Sequence, residues 1–557
     1  MGKSDSKFFA ACGAFAVGLA LVVRLIAACF RWLRRPGSLR KVLFALTCFI
    51  TLIALFYAEE DARGKWAWNR FKRQWEARGE KFDLASFAPP AVPDDQNFAL
   101  TPIMFSTYGS MIDKAGHEID PRNTNLINRL DLNIYREHDY SGGTNGSWIK
   151  GTLTDLRGWQ NYYRTAPTNQ NGRVSTNEFP TSSQPQLPAE DVLLALSKFD
   201  STVEELRQAS RMPYSRFPLE YNKDDPSMIL LPHLARLKQS GQFLELRALA
   251  ELQTGQSEQS AADIKLTCYL IDAYRTEPFL ISQLVRIAMS SYVLQPVYEG
   301  LAGHNWSDAQ LVALDAELAK FDFLSDYQWS MRSEAAGTAK MVEYIKRTRK
   351  ISPFLDMFND GQKRGLIDLV CYLSPAGWFH QNQIQFSEFC LQQCVPVVDV
   401  NKREVSPTAA KRAQENLDEI TAHPAPYNAL QYIFFSQIRK WVFDKNASAD
   451  RFARGQASVD LARVGIALER YNLAHHAYPE SLDALVPQFI QKLPHDVMGG
   501  QPLKYRRTND SFVLYSIGWN EKDDGGVAAL KHSGMYDETP LQSDPDSGDW
   551  VWAYPKK

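Results

Sequence analysis

VLFALTCFITLIALFYAEED, residues 42–61, sets the plan of the whole chain. Its first 17 residues, Val42 to Ala58, carry no charge. As a helix they rise about 25 Å, the short end of what crosses a hydrocarbon core of about 30 Å. Glu59, Glu60 and Asp61 end the run, and before it stands RWLRRPGSLRK, residues 31–41, with Arg31, Arg34, Arg35, Arg40 and Lys41. A short basic loop of this kind stays on the cytoplasmic side, so the chain is expected to leave the membrane outward after Ala58. Trp66, Trp68, Phe71 and Trp75 then offer amphipathic rings at headgroup level.

Upstream lies a second apolar run, FFAACGAFAVGLALVVRLIAACF, residues 8–30, whose only charge is Arg24. A buried arginine costs about 2.5 kcal/mol or more at the bilayer centre, less where it snorkels to an interface. The segment therefore either spans, forming a hairpin with 42–58, or lies in the interface. A cleaved signal peptide is the poorer reading, because the run exceeds the usual ~7–15 apolar residues and a basic loop follows it. Ile26-Ala27-Ala28-Cys29 resembles a lipidation box, but in the wrong context. Residues 1–61 are read as the anchor.

The chain as a whole has a globular composition, 45% hydrophobic and 23% charged over 557 residues, long enough for about three or four structural units. The 62 Lys and Arg nearly balance 64 Asp and Glu, so no chain-wide basic field exists to hold phosphates, and no nucleic-acid partner is expected. Seven cysteines are too sparse for a disulfide scaffold. Residues 62–187 read as a helix continuing to about residue 85, stopped by FAPPAVPDD (87–95), then a loop-rich linker. Trp148, Trp159, Tyr162 and Tyr163 within it are expected to dock on the helices that follow.

From Pro188 the apolar period becomes helical, with Val192, Leu193, Leu196, Phe199, Val203 and Leu206 on one face. Residues 188–445 read as an α-helical array with short connections, without a clean repeat consensus and with an interruption near SPAGWFHQNQ. Residues 446–557 differ. A helix from about Ala449 to His475 carries Leu461, Val464, Leu468 and Tyr471 as one apolar stripe. LKYRR and SFVLYSIG then read as two strands around Thr508-Asn509-Asp510. The expected fold is mainly α: a transmembrane helix or hairpin, a helical array, and a C-terminal α+β domain with a long helix on a small antiparallel sheet.

Four ordered stretches, ALERYNLAHHAYPESLDALV, LPHDVMGGQPLKY, LYSIGWNEKDDGG and DPDSGDW, resemble the globular part of the major pseudopilins of bacterial type II secretion. The likeness covers about residues 450–552 and implies a calcium site in the loop after the last strand. Candidate metal ligands are Asn520, Asp523, Asp524, Asp544, Asp546 and Asp549, of which Asn520 and Asp546 match the family's pattern best. Calcium takes six to eight hard oxygen ligands, which a glycine-bearing acidic loop can supply; a bare solvated acidic turn is the alternative. The spacing is not that of an EF-hand. No pseudopilin leader, cleavage point or early helix glutamate occurs around Lys7-Phe8-Phe9, so polymerisation as a pilus subunit is not expected. As a whole the chain resembles large single-pass proteins of Planctomycetes and Verrucomicrobia, a resemblance that implies architecture and little chemistry.

No phosphate-binding glycine loop, His-Glu-x-x-His, Gly-x-Ser-x-Gly or Cys-x-x-Cys occurs. Cys390 and Cys394 read as buried small residues, His475-His476 as a helix end, and His380 as a packed residue. No catalytic or cofactor-binding residue is named. The expectation is a binding or scaffold protein in the bacterial inner membrane, its bulk periplasmic, with envelope proteins as partners. An exported envelope hydrolase using the helical region is the alternative.

Overall fold

The computed structural model describes residues 37–120, 122, 126–136, 142–165, 179–350, 364–422, 448–508, 511–528 and 548–552. The apolar segment 8–30 and the ligand candidates Asp544 and Asp546 lie outside the described residues. Among the described residues the chain is mainly helical, with two small antiparallel sheets. Its helices are α1 Ser38–Glu76, α2 Pro102–Phe105, α3 Arg157–Arg164, α4 Pro188–Leu196, α5 Asp200–Ala209, α6 Pro232–Gln253 and α7 Ser257–Asp272. There follow α8 Leu280–Ala302, α9 Asp308–Leu318, α10 Phe323–Thr348, α11 Arg364–Leu373, α12 Ala376–Glu388, α13 Pro407–Ala422 and α14 Ser448–His475.

Local chemistry sets the helix boundaries. Proline opens α4, and Glu190 accepts the Leu187 N–H at 3.2 Å. Ser307 and Gln310 satisfy each other's backbone N–H groups at the start of α9, a reciprocal cap. The helix leaving the apolar run stops at Glu76, short of the expected residue 85, where Gly79 takes a positive φ of 92° and donates to the Glu76 carbonyl. The interruption expected near SPAGWFHQNQ is the break at Ser374-Pro375 between α11 and α12, and the rest of that stretch is helical: Pro375 sits at the N-cap of α12, where its missing N–H is harmless.

α6, α7 and α8 pack on one another and α10 closes against α8; of the side chains that the helical period marked, Val192, Leu196, Val203 and Leu206 of α4 and α5 are buried and Leu193 and Phe199 half-buried. α14 runs through this array, against α8, α9 and α10, and carries β4 and β5 on its other side. Leu461, Val464 and Leu468 are buried as the stripe required, but so are Phe452, Val459, Ala462 and Ile466 around the rest of the helix. A helix apolar all round belongs to a core. Two of its buried polar residues are bonded to neighbouring elements: Gln456 accepts the Phe323 N–H at 3.0 Å, and Glu469 meets His304 at 2.7 Å and the Tyr478 hydroxyl at 3.1 Å.

The tail sheet has order β3-β4-β5, with β3 Lys504–Thr508, β4 Ser511–Ser516 and β5 Trp550–Trp552. Leu514 pairs with Tyr505 on one side and Trp552 on the other. β1 Val398–Asp399 and β2 Glu404–Val405 form the second, two-stranded sheet.

The linker docks as its aromatic residues implied: Trp148, Trp159, Tyr162 and Tyr163 are all buried. Buried side chains of α8 hold its backbone, and one of α6 holds a side chain. The Trp148 N–H donates to Gln295 at 2.6 Å, and the Thr154 N–H and hydroxyl donate to Glu299 at 2.9 and 2.6 Å. Asn145 donates to Glu245 at 2.9 Å. Full burial pushes the Glu245 carboxyl up to about 8, from an ordinary 4.5. A carboxyl raised on folding contributes stability that is complete below about pH 4.5 and is lost as pH rises through about 8. Between pH 6 and 8 the chain therefore loses on the order of 1 kcal/mol per pH unit from this group. Thermal melts of Glu245→Gln across that range are expected to fall less steeply than wild type.

Candidate membrane exit and acidic loop

α1 is a single helix in which Leu39–Glu76 is long and apolar enough to cross a membrane, and none of its most apolar 18-residue window is buried against the body. Leu43, Phe44, Leu46, Phe49, Ile50, Leu52, Ile53, Leu55 and Phe56 all expose large apolar surface. Beyond Ala58 the same helix changes role and packs against α12.

The junction is built from backbone proximity and acidic caps. Gly64 of α1 and Gly377 of α12 cross so closely that a Cβ on Gly377 would stand 1.9 Å from the Glu60 carbonyl oxygen. Only glycine allows this approach. The Gly377 N–H, in the first turn of α12, donates to the Asp61 carboxylate at 2.9 Å, and the Trp378 indole N–H donates to Glu60 at 3.1 Å. The acidic exit read from sequence thus supplies negative charge and acceptors to the free N–H groups of a helix start. Gly377→Ala is expected to cost about 1–3 kcal/mol by forcing the two helices apart. Gly337→Ala, inside α10 with no atom nearer than 4.0 Å to the added methyl, is expected to be neutral or slightly stabilising. Melting curves of the two variants in detergent check the contrast.

The aromatic rings after the exit are arranged differently from the sequence expectation. Trp68 and Phe71 are buried, stacked 5.9 Å apart and closed over by Phe82 and Ala339; Trp75 is half-buried beside them. They fix α1 to the body, and Trp66 alone of the four is openly exposed. Helical spacing puts residues 68, 71 and 75 on one face, a signal for docking as well as for a headgroup belt.

The tail loop brings Asn520, Asp523, Asp524 and Asp549 together. Asp549, buried next to β5, accepts the Gly526 N–H at 2.6 Å and the Asp524 N–H at 3.3 Å. Asp524 accepts from the Asn520 amide at 2.8 Å and the Gly548 N–H at 3.2 Å. Asp523 accepts the Tyr515 hydroxyl at 2.8 Å and the Gly525 N–H at 3.1 Å, with Lys504 at 3.3 Å. The Tyr515 hydrogen bond holds the Asp523 carboxyl below its ordinary range, while burial raises that of Asp549 against its backbone donors. The donor set is oxygen-rich, as a hard cation needs, yet each described carboxylate is engaged by N–H or O–H donors. Among the described residues no group of three His, Cys, Asp or Glu side chains converges as a metal cage.

Of the other residues singled out by sequence, Cys390, Cys394 and His380 are packed and His475 is exposed. Cys390 and Cys394 are buried in a π-helical turn, and His380 is buried against Gln383 at 2.8 Å and Lys346 at 3.3 Å. His475 lies in the last turn of α14, 4.2 Å from the Tyr471 ring. No protein-family model matches this chain, and no curated protein or solved structure matches it significantly.

Proposed function

We propose that the protein is a membrane-anchored, extracytoplasmic binding or scaffold protein of the bacterial inner membrane, with envelope proteins as its partners. The observation that carries this reading is the division of α1: an uncovered apolar half, Leu39 to Phe56, and a second half fixed to the body. Burying each of those large side chains in hydrocarbon is worth about 1.5–3 kcal/mol, an amount that water withholds from all of them. The basic residues before the run and the acidic ones after it support an outward exit. The continuous packing of linker, array and tail supports a rigid platform more than a set of enzymes on a string.

The likeness of the tail to pseudopilins belongs to this proposal, and so does calcium. Asn520, Asp523, Asp524 and Asp549, with Asp544 and Asp546 of the following sequence, would hold the cation, which would supply charge neutralisation between carboxylates. Chelator is then expected to lower the melting temperature of wild type by several degrees and to leave Asp546→Ala unmoved. Wild-type melting that ignores chelator removes calcium from the proposal. The binding role is tested by crosslinking the full-length chain in cells and purifying it from membranes. Recurrent, near-stoichiometric envelope partners support it; a chain recovered alone that degrades envelope polymers replaces it with the hydrolase reading.

A further inference from the structure

We propose that α11 is a second membrane contact, a short helix lying in the outer boundary of the bilayer beside the point where α1 leaves it, with phospholipid covering its outer face. The inference rests on the reading of α1 as the span. Leu369, Val370, Tyr372 and Leu373 are exposed, Tyr372 at 69%, while Cys371 and Ser374 are buried. Spacings of three and four residues place 369, 372 and 373 on a single outward face. Nothing in the described body covers this face, and it is more apolar than a solvated helix face should be.

Its depth is fixed by contacts with α1. The Tyr57 hydroxyl donates to the Leu373 carbonyl, and the Trp378 ring lies 6.4 Å from Phe56. Tyr57 is the last residue but one of the uncharged run, so the end of α11 sits within a turn of where the hydrocarbon stops. Glu60 and Asp61, one turn further out, hold the start of α12, so the α11–α12 corner straddles that boundary. Arg349 pins the corner from the body side, donating to the carbonyls of Cys371 at 3.3 Å and Ser374 at 2.6 Å. The apolar face of α11 is therefore continuous with the uncovered surface of α1, and the solvent that meets one meets the other. Tyr372 has the form of an interfacial anchor, an apolar ring with a polar tip. A second copy of the chain is the weaker occupant, because one face of a ten-residue helix falls well short of the roughly 800 Å² per partner of a stable interface.

The test places the photo-crosslinking residue benzoylphenylalanine at position 372, 52 or 527 of the full-length chain. Each protein is reconstituted into vesicles of phosphatidylethanolamine and phosphatidylglycerol, and adducts are identified by mass after irradiation. Lipid adducts are expected at 52 and 372 in comparable yield, and at background level at the exposed Val527 site. Lipid at 52 without lipid at 372, or a crosslink from 372 to a second copy, overturns the inference and leaves the span standing. Absence of lipid at 52 overturns the span itself, and the inference with it.

Discussion

Trp552→Ala lowers the stability of the whole chain by about 3–5 kcal/mol, the cost of deleting a large aromatic from a packed core. Trp552 lies in the last described strand and is 2% exposed. Its ring stands 5.4 Å from Trp148 of the linker and 5.5 Å from Tyr298 of α8, and Gly465 of α14 leaves room for the indole. Linker, array and tail therefore meet at one side chain, and the cavity left by alanine opens to all three. Calorimetry of the full chain is expected to show the main transition shifted down as one. An unchanged main transition with a separate, weakened tail transition would mean that the tail is an appended module.

Arg286→Met destabilises to a similar extent, about 3–5 kcal/mol, because it strands a buried carboxylate. Arg286 is fully buried on α8 and donates to the carboxylate of Asp326 on α10, to Gln283 at 2.7 Å and to the Ile271 carbonyl at 2.9 Å. Burial raises the Asp326 carboxyl, and the guanidinium opposes that rise. Without the arginine the carboxylate must take up a proton or draw in water. The double variant Arg286→Met with Asp326→Leu is expected to recover most of the loss, since neither charge remains to be solvated. A double variant as unstable as the single one would show that packing, and not the charge, is what Arg286 contributes. Denaturant unfolding of the three variants against wild type gives the coupling directly.

The helical period, the start of α4 and the strand before the tail's end were readable because each is written in neighbouring residues: Pro188 with Glu190, and alternation in SFVLYS. What was not readable depends on distant pairs. The Gly64–Gly377 crossing leaves no local mark, since either glycine alone reads as a weak point in a helix. β5 is three residues long and defined by its pairing to β4, so its sequence gave no period to count. The rings of Trp68 and Phe71 suited a membrane belt or a docking face equally, and Phe82 and Ala339 decided between them. In the acidic loop, residue types pointed to a cation, while hydrogen bonds from Gly526, Gly548 and Tyr515 account for the described carboxylates by protein groups.

The most direct measurement is protease access to a tag at the chain's C-terminus in intact spheroplasts. A chain held by α1 with its body outside the cytosol predicts that the tag is removed without lysis, while the protein stays with the membrane through alkaline carbonate washing. A tag protected until the cells are broken, or a full-length chain released by the wash, would contradict that arrangement.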